Sequence, residues 1–182
     1  MILPLFRRNR RTDTISALYG TIVAQARRPC FYQDFAVPDT INGRFDLLVL
    51  HLVLVIERLN AEEGLRELAQ GLFDRFCQDM DDNLREIGIA DLKVPKEMRK
   101  MGEAFYGRAQ AYQAALAAAG DDALVETLIR NIYGGTAPSA AVTARLAIYV
   151  RQVVRGLQGQ GASVFEAGQV GLPDPSASFA VA

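Results

Sequence analysis

The sequence predicts an all-α fold: one helical domain of six to seven helices, with a flexible N-terminal arm and a flexible C-terminal tail. Three observations point there. Apolar residues recur every three to four positions in one long segment after another. Glycines and prolines fall between those segments, where they end helices. No pair of alternating apolar–polar runs marks a strand pair, and no internal repeat is present. The length of 182 residues suits one domain, and an apolar share of 50% is enough for a sizeable core.

Residues 1–11 read as a basic arm. A short apolar tip precedes Arg7, Arg8, Arg10 and Arg11. Two readings stand for it: a solvated leader, or a contact with an anionic membrane surface or RNA. The helical domain is expected over residues 12–158. Its first helix spans about 13–27, where Ile15, Leu18, Tyr19, Ile22, Val23 and Ala26 share a face. Thr12 or Asp13 can cap its start and Pro29 ends it. A short turn at 30–35 and a loop around Pro38 and Gly43 follow.

The next helix, about 44–59, is apolar nearly all round from Leu47 to Ile56, so it belongs at the centre of the bundle. Arg44, His51 and Arg58 form a narrow polar stripe along it. A third long helix covers about 62–87, with Leu65, Leu68, Leu72, Phe76, Met80 and Leu84 at helical spacing and Gly88 as its stop. Pro95 suits the first turn of a helix that runs to about 119. Asp121 and Asp122 open another, which Gly134 and Gly135 stop. The last spans about 138–157. Residues 159–182, with their glycines and prolines, read as a flexible tail without a core of its own.

Composition excludes several function classes. Lys plus Arg is 20 and Asp plus Glu is 21, so bulk charge does not suit coating of nucleic acid, and DNA is not an expected partner. Cys30, Cys77 and His51 are the only cysteines and histidine, too few for a Cys/His zinc site, a di-iron bundle or a disulfide framework. Two thiols fit a reducing cytoplasm. No apolar run reaches the ~20 residues of a membrane helix. The N-terminal order of apolar tip before charge is the reverse of a signal peptide.

The acid-rich stretch 79–86 fails as a calcium loop, because the sixth and twelfth positions hold Leu84 and Ala90. Asp74, Asp81 and Asp82 could share a helical surface that holds magnesium, or form a solvated face. His51 reads as a packed histidine or as a haem ligand or base. No catalytic residue, cofactor or metal is expected.

Residues 93–108 carry the one distinctive surface. Lys93, Lys96 and Lys100 share a face, with Arg99 beside it and Arg108 farther on. Met98, Met101, Phe105 and Tyr106 lie behind them. Methionine and aromatic side chains make adaptable apolar surface. These nine residues are a core stripe with a solvated basic back, or a surface that binds a client chain or the membrane.

Ordered segments then carry a family resemblance: residues 18–27, Phe31 and Tyr32, 37–40, 43–51, 72–74, 79–81, 84–88, Asp91 and Leu92, 96–101 and 104–108. Over about 13–155 the chain resembles the ubiquinol–cytochrome c chaperone family, the assembly chaperones for cytochrome b. The resemblance implies a non-enzymatic helper of cytochrome bc1 complex assembly that binds newly made cytochrome b. It implies work near the ribosome exit region and the inner-membrane surface. Without a mitochondrial targeting extension, the chain reads as a bacterial member, cytoplasmic and peripheral on the inner face of the cytoplasmic membrane. The competing reading is a small helical-bundle carrier or enzyme for an apolar ligand such as quinone or haem, built around Arg44, His51 and Arg58.

Overall fold

The computed structural model describes the backbone of residues 3–181 and the side chains of residues 11–178. Its order is α1 (Leu3–Ala26), α2 (Pro29–Gln33), α3 (Ile41–Asn60), α4 (Arg66–Glu86), α5 (Val94–Ala117), α6 (Asp122–Ile132), α7 (Ala140–Gln158) and α8 (Ala162–Glu166). A three-residue 3-10 helix, Glu63–Leu65, precedes α4, and a seven-residue one, Pro175–Val181, follows α8. Among the described residues there is no strand.

Helix α3 occupies the centre and packs against α1, α4, α5, α6 and α7. Its run from Leu47 to Ile56 is buried at every position, as its apolar character, interrupted by His51 alone, requires. Thr40 caps it: the hydroxyl oxygen accepts from the Gly43 N–H at 3.1 Å. Ser139 does the same for α7 through the Val142 N–H at 3.2 Å. Gly88, Gly120, Gly134 and Gly135 take positive φ at the stops where the sequence placed them.

Two ends differ from expectation. The backbone of α1 continues back to Leu3 instead of starting at residue 13. Pro4 falls in its first turn, where the missing N–H costs nothing, and no helix breaker follows it. The side chains of the arm up to residue 10 lie outside the described ones, so its reading as a membrane or RNA contact has no structural counterpart.

The expectation of a flexible tail from residue 159 does not hold through residue 178. Phe165 is fully buried, Val170 is 8% exposed and both join the core. Polar clamps hold the segment. Gln25 Nε2 donates to the Pro173 carbonyl at 2.8 Å, and Arg58 donates to the carbonyls of Leu157 and Gln160 at 3.0 and 2.7 Å. The Gln160 amide exchanges two hydrogen bonds with the Gly171 backbone. The glycines there make turns rather than freedom: Gly168 has φ of 77° and packs under α1, 3.3 Å from Ala17 by the position a Cβ would take.

Helix α4 runs back along α3, with Phe45 and Phe76 rings 6.1 Å apart. Helix α5 returns beside α4, with Phe73 and Phe105 rings 4.9 Å apart. Asp46, near the start of α3, pairs with Arg108 in the middle of α5. These registers fix a consequence: the α4–α5 hairpin reaches about two helical turns past the start of α3.

Candidate functional site

The overhang leaves a groove of about 590 Å³ where the end of α1, the start of α3, the end of α4 and the start of α5 meet. Ala26, Leu48, Met80 and Leu84 are buried in its floor, and Val23, Phe45 and Met101 are half-buried along it. Ile41 and Ile87 stand at its lining with 81% and 67% exposure. Exposed apolar side chains gathered along an apolar groove are the kind of surface that binding sites present.

Charges frame the groove, and most are tied to one another. Arg108 donates to Asp46 at 2.6 Å and lies over the Phe45 ring at 5.8 Å. Burial pushes the Asp46 carboxyl up from its ordinary range, and the Arg108 charge works against that. Lys100 bonds Glu97 at 2.9 Å, and Arg44 bonds Asp39 at 2.7 Å. Asp79 accepts from the Tyr19 hydroxyl at 2.8 Å. Arg27 is the lining cation without an ion pair among the described residues. The site therefore has apolar grip and a rim whose charges are mostly paired, with the Arg108 Nε buried and without a hydrogen-bond partner.

The surface expected over 93–108 is split. Lys100, Met101 and Arg108 line the groove. Met98 is half-buried against the core. Phe105 is buried at 4% exposure in a cluster with Phe73 and Phe76, so it belongs to the core. Tyr106 rests its ring on Phe73 and Phe105 yet stays 62% exposed. Lys93, Lys96 and Arg99 are exposed outside the groove, and Arg99 is spent on Glu103 at 3.0 Å. Sequence reasoning missed Ile41, Phe45 and Asp46 on α3 and Ile87 just after α4. An isoleucine at a helix's first position, outside its buried run, was the available signal.

Arg44, His51 and Arg58 do not converge. Arg44 lies at the groove mouth, while Arg58 bonds the α7–α8 connection and sits over the Phe165 ring at 5.2 Å. His51 is fully buried between them. Its Nδ1 lies 2.8 Å from the Leu47 carbonyl and its Nε2 lies 2.8 Å from the Tyr149 hydroxyl. That assigns Nδ1–H as donor and Nε2 as acceptor of the Tyr149 proton. Gln25 in turn donates to the Tyr149 oxygen at 2.9 Å. Desolvation lowers the His51 pKa to about 4, so the ring is neutral near pH 7. It is the packed histidine of the two sequence readings, with both nitrogens used.

Asp74 accepts from Gln70 at 2.7 Å and Asp81 from Arg85 at 2.6 Å. Among the described residues no three His, Cys, Asp or Glu side chains gather as metal ligands would. Nor is any helix among them long and apolar enough to cross a membrane.

Residues 33–172 match the family model described as ubiquinol-cytochrome C chaperone. The chain is similar to ubiquinol-cytochrome-c reductase complex assembly factor 1 of Xenopus laevis, 24% identical over 128 residues. That match covers 70% of this chain and 64% of the relative's length. The crystal structure of the Cbp3 homolog from Brucella abortus superimposes with a TM-score of 0.85 at 40% identity, over 97% of this chain and 98% of that one.

Proposed function

The chain belongs to the ubiquinol-cytochrome C chaperone family, and from that premise we propose that it assists assembly of the cytochrome bc1 complex by binding newly made cytochrome b. It acts by holding its client, not by catalysis. The observation that carries the reading is the groove with Ile41 and Ile87 exposed along an apolar lining. A nascent membrane protein offers apolar helices flanked by positive loops on the cytoplasmic side. The groove suits such a helix, and the paired carboxylates of its rim can turn to the loops. The work is placed at the inner face of the membrane, near the ribosome exit region, where the client emerges. A carrier of quinone or haem would need an enclosed pocket with converging polar groups. His51, its only histidine, is occupied in the core.

The test is deletion of the gene, complemented by tagged copies. Loss of the cytochrome b spectrum, restored by the wild type together with capture of cytochrome b, is the expected result. Ile41→Asp with Ile87→Asp should lower capture about tenfold and leave the melting temperature unchanged, because both side chains are exposed. Normal cytochrome b in the deletion strain would sink the proposal.

A further inference from the structure

The turn between α4 and α5 places apolar side chains where the fold has no use for them. Leu92 is 96% exposed, the most exposed large apolar side chain among the described residues, and Ile87 is 67% exposed at the other side of the same turn. Both stand on the hairpin that overreaches α3. Lys93 and Lys96 follow directly, both exposed. Neither makes an ion pair, because the nearby acids are engaged elsewhere: Asp91 by Arg85 and Glu97 by Lys100. Glu86 and Asp82, exposed in the last turns of α4, make no ion pair among the described residues, and Asp91 shares Arg85 with Asp81. The tip thus sets two projecting apolar residues beside two uncommitted cations, Lys93 and Lys96, on the α5 side of the turn.

We propose that the α4–α5 turn is a membrane-contacting tip, with Leu92 and Ile87 entering the headgroup layer of an anionic bilayer and Lys93 and Lys96 meeting its phosphates. Two exposed apolar side chains stand beside two exposed lysines, the composition of a contact at an anionic bilayer interface. The lysines supply the attraction to acidic headgroups. With two apolar side chains and two charges, the attachment is weak and reversible. Ile87 also lines the groove, so a tip lodged in the bilayer sets the groove mouth against the membrane surface. The contact goes beyond client binding and needs no client.

Co-sedimentation of the full chain with vesicles tests it, using phosphatidylcholine alone and phosphatidylcholine mixed with phosphatidylglycerol. The wild type should bind the mixed vesicles preferentially. Leu92→Asp should lower partitioning about tenfold, and Lys93→Glu with Lys96→Glu should abolish the preference for anionic lipid. Both variants should melt as the wild type does. Absence of vesicle binding by the wild type overturns the proposal, as does equal binding by both variants. Binding that survives them and disappears when Arg7, Arg8, Arg10 and Arg11 become Gln assigns the contact to the arm, and overturns it too. Variants that keep vesicle binding but lose captured cytochrome b assign the tip to the client, which also overturns it. Because the vesicles hold no cytochrome b, failure here leaves the chaperone proposal standing, and the reverse is equally true.

Discussion

At the scale of single residues, two buried polar groups decide how the fold responds to its surroundings. His51 is neutral in the fold because desolvation holds its pKa near 4, below the ordinary 6.5. An unfolded chain binds that proton more readily, so stability is complete above pH 6.5 and falls as pH drops toward 4. The loss is at most about 3 kcal/mol. Urea unfolding across this window should show the fall in the wild type, and a shallower one in His51→Gln. Tyr149→Phe removes the proton donated to His51 and the acceptor of Gln25, and should cost about 1–3 kcal/mol at pH 7 in the same assay. Asp46 and Arg108 behave differently, since each is largely buried and each depends on the other. Arg108→Leu strands the carboxylate and should cost about 3 kcal/mol, whereas adding Asp46→Leu should recover most of that loss. The double-mutant cycle by chemical denaturation reads the difference.

At the scale of elements, close approaches between chains of atoms set what each helix tolerates. A Cβ at Gly43 would stand 2.0 Å from the Pro38 carbonyl oxygen, which belongs to the backbone of the loop that leads into α3. Gly43→Ala must shift that loop and should cost about 2 kcal/mol or more, seen as a lower melting temperature. At Gly71 the clash is with the end of the Ile15 side chain, at 2.3 Å. Ile15 can rotate, and alanine favours the helix by about 1 kcal/mol, so Gly71→Ala should be close to neutral. The sequence made α3 legible because its apolar run from Leu47 to Ile56 admits only a central place. Of the groove it made only the α5 side legible, where Lys100, Met101 and Arg108 line it. It could not yield Ile41 or Phe45 as partners of Met101, since a groove joined from four helices leaves no periodic trace in any one of them. The glycines after residue 158 misled because glycine serves flexible chain and tight turn alike. Only the buried Phe165 distinguishes them, and an isolated phenylalanine carries no period.

At the scale of the whole molecule, the bundle is closed by its own last segment. Phe165 and Val170 fill core positions, and Gln25 ties Pro173 to the polar chain that ends at His51. Phe165→Ala should cost about 3–5 kcal/mol in denaturant unfolding, a core-sized loss from a residue outside every long helix. The groove proposed for the client lies elsewhere, at the open end formed by the α4–α5 overhang, so such a variant should lose stability before it loses capture of the proposed client. The closing segment also orders events during synthesis. Translation proceeds from the N-terminus at roughly 5–20 residues per second, and domains fold as units. Helices α1 to α7 emerge first, with the sites of Phe165 and Val170 still unfilled. The core therefore completes only after residue 178 has cleared the ribosome. Until that segment docks, the vacant sites of Phe165 and Val170 leave apolar core surface open, which makes the undocked bundle the aggregation-prone state of this fold.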